Sequence, residues 1–196
     1  MDTAEIREDG GMAPKKGSGL LHKVVATDLA FLKFLGGINL PRSVALPLIA
    51  LVRIGDGWIW CLIAFYLWRV MPFLQFKLVV FHCLLAIAIS LALYWPIKLM
   101  VRRPRPHDCD LGITARVPPL DKYSFPSGHT MNNLAVALTL SVYLPHVFLA
   151  ALGIPILLGG LRILFGVHYL SDITGGVILG VGSFMLAKLL FPVLSI

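Results

Sequence analysis

Four stretches of the chain, residues 74–97, 129–145, 147–165 and 172–191, stay apolar over close to the length a helix needs to cross a membrane. That length is roughly 20 residues for a hydrocarbon layer of ~30 Å. A fifth stretch runs from Ile54 to Met71, and Gly55-Asp56-Gly57 at its start marks a place for a helix to begin or break. Upstream, residues 20–40 set Lys23, Asp28 and Lys33 among Leu, Val and Phe, a mix suited to a helix lying in the interface. Residues 43–52 are apolar but short, either a second interfacial helix or an extension of the first span. The pattern predicts an all-α polytopic transmembrane bundle of five spans, with six as the alternative, preceded by N-terminal interfacial helices. Residues 1–19 are polar, lack the apolar core of a secretory signal and read as a disordered tail, which leaves 20–196 as one domain. Gly176 and Gly180 form a small-xxx-small pair that predicts close helix packing.

Composition agrees with this pattern. Apolar residues make up 58% and charged ones 14%, against globular averages of roughly 45–50% and 25%, so a soluble fold is excluded. The net charge of +7 sits beside apolar spans and points to anionic headgroups or phosphate as partners, not to nucleic acid. The three cysteines form neither a disulfide framework nor a Cys-x-x-Cys metal spacing. In the five-span order the polar segments 98–129 and 162–172 share one membrane face, so their residues can meet.

Three clusters on that face carry chemistry. Lys98-Leu-Met-Val-Arg102-Arg103-Pro104-Arg105-Pro106 closes an apolar span. Alone it is a basic helix cap, but each proline pushes the residue before it out of helical geometry and holds Arg103 and Arg105 extended. Ser124-Phe125-Pro126-Ser127-Gly128-His129 stands before an apolar helix. Ser127 there suits an N-cap, and the glycine and free N–H groups of a helix start suit phosphate. Arg162-x5-His168-x3-Asp172 spaces a histidine and an acid by four, which on a helix lets the carboxylate orient the imidazole. A transferring phosphoryl group spreads negative charge over its equatorial oxygens. Lys98, Arg105 and Arg162 can balance that charge, with Ser127 and the Gly128 amide as neutral donors. His168 can attack phosphorus, Asp172 can orient it, and His129 can protonate the leaving oxygen.

This constellation resembles the type 2 phosphatidic acid phosphatase superfamily, whose pattern is Lys-x6-Arg-Pro, Pro-Ser-Gly-His and Ser-Arg-x5-His-x3-Asp. Lys98 to Pro106, Pro126 to His129, and Arg162, His168 and Asp172 match it, with Leu161 standing where the family has serine. The resemblance implies a helical membrane enzyme that hydrolyses lipid phosphates through a phosphohistidine, with no metal and no cofactor. No carboxylate cluster of the kind Mg²⁺ requires stands out in the sequence. The phrases Gly55-Asp56-Gly57-Trp58 and Asp121-Lys122-Tyr123-Ser124-Phe125-Pro126-Ser127-Gly128-His129 look most like the presqualene and polyisoprenoid diphosphate phosphatases. That makes a polyisoprenoid diphosphate the preferred substrate, with phosphatidic acid or phosphatidylglycerophosphate as the alternative.

Two readings from other classes compete. The family's pocket resembles that of vanadium haloperoxidases, which are soluble, so the apolar spans argue against halide oxidation. A non-enzymatic lipid carrier would keep the pocket for binding alone. Apart from Lys98, Arg105 and Arg162, every Lys and Arg except Arg69, Lys77 and Lys188 falls on the active-site side in the five-span order. The positive-inside rule then predicts a cytoplasmic site on a bacterial inner membrane or the endoplasmic reticulum.

Overall fold

The computed structural model describes residues 4–6, 12–14, 19–36, 38, 40–109, 111–119 and 121–194. Two short strands, β1 (Ala4–Ile6) and β2 (Met12–Pro14), pair antiparallel within the stretch expected to be a disordered tail. Seven helices follow: α1 (Gly19–Gly36), α2 (Arg42–Ile54), α3 (Trp58–Val70), α4 (Phe73–Val101), α5 (Gly128–Tyr143), α6 (Phe148–Leu164) and α7 (Leu170–Leu194).

Helix boundaries follow local chemistry. Pro72 precedes α4, and its C-cap Arg102 turns into the left-handed region (φ 48°) just before Arg103-Pro104, where the pre-proline position rejects helix. Between α2 and α3, Gly57 at φ 132° supports a conformation that L side chains avoid, and the two helices meet at a 61° bend. Gly166 at φ 71° turns the chain after α6.

α5 is the central helix, packed against α4, α6 and α7, while α1, α2 and α3 lie outside on α6 and α7, α6, and α4 respectively. Small residues let the central helices approach: Ala86, Ala135 and Ala187 are buried together. A Cβ at Gly176 would meet the Ser127 carbonyl oxygen at 2.7 Å, and one at Gly180 the Met131 carbonyl oxygen at 2.8 Å, which is the close packing the small-xxx-small pair predicts. Leu149, Ile156, Ile178 and Leu189 lie on the outside, more than half exposed, as lipid-facing residues would.

The expected spans are helical, but not all are full crossings by length. Two helices, within Phe73–Asp108 and Leu170–Pro192, are long and apolar enough to cross a membrane, and the bent pair α2–α3 makes a third if counted as one span. α5 and α6 have 16 and 17 residues. They are shortened by Ser127-Gly128 at one end and the turn at Leu144-Pro145 between them. Residues 43–52, expected as a second interfacial helix or an extension of the first span, lie in α2, which ends at the glycine break.

Candidate active site

The site is assembled at the ends of α4 and α6 and the starts of α5 and α7. Lys98 lies in the last turn of α4, buried, with Nζ donating to the Tyr94 hydroxyl (2.6 Å) and paired with Asp121 Oδ1 (2.7 Å). Arg105 donates from Nη2 to the same carboxylate oxygen (2.6 Å), from Nε to the Asp121 carbonyl (3.0 Å) and from Nη1 to the Val167 carbonyl (2.7 Å). Those bonds tie the first basic cluster to the residue before His168. Burial works against the Asp121 carboxylate, but the bonds from Lys98 and Tyr94 and the charges of Lys98 and Arg105 prevail and hold its pKa below the usual value.

At the start of α5, Ser127 stands at the N-cap position but makes no side-chain cap; its Oγ lies 3.1 Å from Thr130 Oγ1. Its amide donates to the Asp172 carbonyl (3.1 Å), joining the second cluster to the third. Gly128 is required by crowding, since a Cβ there would stand 2.7 Å from the Tyr94 ring.

His168 departs from the helical spacing expected of it. It lies in the turn before α7, while Asp172 lies in the helix's first turn. The contact forms all the same. His168 Nδ1 donates a long 3.4 Å bond to Asp172 Oδ2, which also accepts from the Tyr169 amide (2.8 Å). Among the described residues Nε2 has no hydrogen-bond partner, and the one fully buried side-chain nitrogen without a partner is His82 Nε2 in another part of the bundle. His168 Nε2 is therefore unpaired among the described residues without being fully buried. Burial at 2% exposure lowers the His168 pKa to about 4; Asp172 opposes the shift, and the charges of Arg105 and Arg162 add to it. The imidazole is neutral at physiological pH, with Asp172 holding the proton on Nδ1 and a lone pair left on Nε2.

Arg162 and His129 meet on a residue outside the expected set. Asp56, in the α2–α3 break, accepts from His129 Nε2 at 2.6 Å and from Arg162 Nη2 on the same oxygen, Oδ1. Its other oxygen pairs with Arg53 at 3.2 Å. A cavity of about 300 Å³ opens here, bordered by Asp56, Trp60, Asp121, His129, Asn132 and Val136 among others. Its lining runs from the polar Asp56, Asp121, His129 and Asn132 to the apolar Ile87 and Val136. Of the two histidines only His129 borders it.

A second unexpected network lies behind Asp172. Arg103 donates to Asp172 Oδ1 (2.9 Å), Ser171 Oγ (2.6 Å) and Asp28 Oδ2 (2.7 Å) and lies 3.8 Å from the centre of the Tyr169 ring. Asp28 also accepts from the Ser171 amide (2.8 Å). The α1 acid expected at the interface is instead buried and clamps α1 onto the start of α7. The eight residues expected from the sequence fall into three bonded groups, Lys98 and Arg105 on Asp121, Ser127 and His168 on Asp172, and His129 and Arg162 on Asp56, with Gly128 against the Tyr94 ring. One signal could have found Asp56, an ionisable residue inside an apolar stretch.

Comparison with known proteins agrees with this fold. Phosphatidylglycerophosphatase B of Bacillus subtilis (strain 168) is 39% identical over 77 residues, covering 34% of this chain and 38% of that protein. The matched region thus spans well under half of that relative's length. The crystal structure of Aquifex aeolicus LpxE has a similar fold, with a TM-score of 0.70 at 23% identity over 82% of this chain and 94% of that one. So does that of a transmembrane PAP2 type phosphatidylglycerolphosphate phosphatase from Bacillus subtilis, with a TM-score of 0.66 at 24% identity over 85% of each chain. Residues 79–194, more than half of the chain and all three motifs, match the family model described as PAP2 superfamily, and the chain belongs to that superfamily.

Proposed function

We propose that this protein is a membrane phosphatase that hydrolyses a lipid phosphate or diphosphate through a phosphohistidine. The observation that carries the reading is the placement of His168, held on Asp172 beside the Arg105-bound Val167 carbonyl. His168 Nε2 attacks phosphorus while Lys98, Arg105, Arg162, Ser127 and the Gly128 amide bind the equatorial oxygens. His129 protonates the departing oxygen and then takes a proton from the water that attacks the phosphohistidine, releasing inorganic phosphate. To bind this way, phosphate oxygens replace the Asp121 carboxylate on Lys98 and Arg105.

The preferred substrate is a polyisoprenoid diphosphate. Supporting it, a second cavity of about 340 Å³, bordered by Arg102, Arg105 and Lys122 and by Asp108, adjoins the first at Asp121, which sets three cations beside a place for a second phosphate. The likeness to phosphatidylglycerophosphatase B supports a second reading, a glycerolipid phosphate. The chain crosses the membrane five times in this proposal, with α2–α3 as one bent span and the active site facing the cytoplasm.

Phosphate release by the purified protein from a prenyl diphosphate, phosphatidic acid and phosphatidylglycerophosphate tests both levels. Release fastest from the prenyl diphosphate is expected. A glycerolipid preference transfers the assignment to the second reading. Binding of all three with no release is the outcome a lipid carrier would give and sinks the enzymatic proposal.

A further inference from the structure

We propose that Asp56, outside the three motifs, is the positioning residue of the general acid: it fixes His129 through Nε2 and leaves Nδ1 to exchange protons with substrate and water. The inference rests on the phosphatase reading above and deepens it.

An ionised carboxylate only accepts hydrogen bonds, so the 2.6 Å contact fixes His129 with a proton on Nε2. Nδ1 has no hydrogen-bond partner among the described residues and is not fully buried, on a residue that borders the cavity. Burial and the Arg162 charge work against the imidazolium, the form that can give a proton away, and the Asp56 carboxylate on the far nitrogen offsets part of that cost. As the His168 Nε2–P bond forms and the P–O bond to the lipid breaks, the proton on Nδ1 passes to the departing oxygen. Neutral His129 remains with its Nε2 proton on Asp56. Its Nδ1 lone pair then takes a proton from water as the water oxygen attacks phosphorus and the N–P bond breaks. The imidazolium is restored, and Asp56 stays ionised throughout.

A second interpretation of the same contacts is that Asp56 plugs the phosphate site and must swing out. The surroundings favour a fixed residue. Asn133 Nδ2 donates to the carbonyls of Gly55 (3.1 Å) and His129 (2.8 Å), while its Oδ1 accepts from Trp60 Nε1, so one α5 side chain grips both sides of the break. On the α6 side the approach is so close that a Cβ on Gly55 would lie 2.5 Å from Leu158 Cδ1. Arg162 spends only Nη2 on Asp56 among the described residues, and its remaining N–H groups are left for phosphate.

The test compares leaving groups. Wild-type, Asp56→Asn and Asp56→Glu chains are purified in detergent, and kcat/KM is measured on dodecyl phosphate, whose alcohol needs a proton to leave, and on 4-nitrophenyl phosphate, whose phenolate hardly does. Asp56→Asn is expected to lose about 10²-fold or more on dodecyl phosphate and at least about tenfold less than that on the aryl ester. In a His129→Ala background it should add little further loss. Asp56→Glu, which keeps the carboxylate, should recover part of the lost rate on dodecyl phosphate. Equal losses on the two substrates would assign Asp56 to the phosphate clamp or the fold, and a gain of activity would make it a plug; either overturns the proposal. Should Asp56→Asn not fold, Asp56→Glu alone decides, because a loss independent of leaving group has the same meaning. Wild-type protein inactive on both esters defeats the phosphatase reading itself, an outcome distinct from equal losses in an active enzyme.

Discussion

The molecule contains two histidine–aspartate pairs that differ in nearly every physical respect. His168 and Asp172 are four residues apart, joined across one turn, and their side chains are 2% and 0% exposed. His129 and Asp56 are 73 residues apart, brought together by the break between α2 and α3, and are 17% and 15% exposed. The inner pair uses Nδ1 for its acid and frees Nε2; the outer pair does the reverse. Enclosure keeps the inner imidazole neutral, which suits attack on phosphorus. The outer pair borders the cavity, where a proton can be exchanged with a leaving oxygen or with water. In the proposed mechanism similar residues thus take opposite tasks, set by their surroundings.

Removing each ring is the harshest way to break this comparison. His168→Ala is expected to lower phosphate release by roughly 10⁴-fold or more, since no other group supplies the attacking lone pair. His129→Ala should cost roughly 10²–10⁴-fold, as loss of an acid does. Phosphate release from purified, folded variants checks both. A His168→Ala enzyme as active as wild type would refute the nucleophile assignment.

The protonation of the inner pair is the next point to test. The unfolded chain takes up a proton at His168 near the ordinary histidine value of 6.5, whereas the folded chain resists until about 4. Burial of the neutral ring therefore contributes stability that is complete above pH 6.5 and is lost as the pH falls toward 4. Melting temperature followed from pH 7.5 to 4.5 should drop in the wild type and drop less in His168→Ala. Parallel curves would mean that His168 titrates alike in both states.

Legibility divides along the same line as the two pairs. Lys98, Arg105, Ser127, Gly128, His129, Arg162, His168 and Asp172 could be found because each motif is local and its spacing survives in the chain. Asp56 reaches His129 only once α3 has folded back on α4 and α5, a relation no short window records. Asp28 misled in another way. Among Lys23 and Lys33 it resembled an interfacial polar residue, yet it is 2% exposed because Arg103, 75 residues away, neutralises it. Hydropathy found α4 to α7 to within a few residues at each end, and Thr130, Asn132 and Asn133 put polar groups inside an apolar run where the site is built.

That buried acid gives a smaller, sharper test of how the inner pair is held. Asp28→Ala would leave the Ser171 amide and one arm of Arg103 without their partner while keeping the Arg103–Asp172 bond. Loss of a hydrogen bond to a charged group costs about 1.5–3 kcal/mol, so kcat should fall roughly tenfold or more if the strain reaches Asp172. KM should change less, because Asp28 touches none of the groups assigned to phosphate. If melting temperature falls while kcat holds, Asp28 anchors α1 without positioning the nucleophile pair.

The smallest expected effect on catalysis belongs to Leu161, where the family has serine. The side chain is 7% exposed and packs with Val52, Val117 and Phe165, an apolar cluster joining α2, α6 and the loop before α5. Arg162, one residue on, points instead to Asp56. Restoring the family residue as Leu161→Ser would remove buried hydrocarbon and place a hydroxyl among apolar neighbours, with only a carbonyl one turn back within its reach. The cost in stability should be about 2–4 kcal/mol, in the range of other large-to-small core substitutions. With no bond to the catalytic groups to change, kcat/KM should stay within about twofold of the starting value. Thermal melting and phosphate release on the same preparation separate the two effects. A tenfold gain in kcat/KM would mean that position 161 faces the site, and the apolar cluster would then mark an adaptation of this chain's pocket instead of its packing.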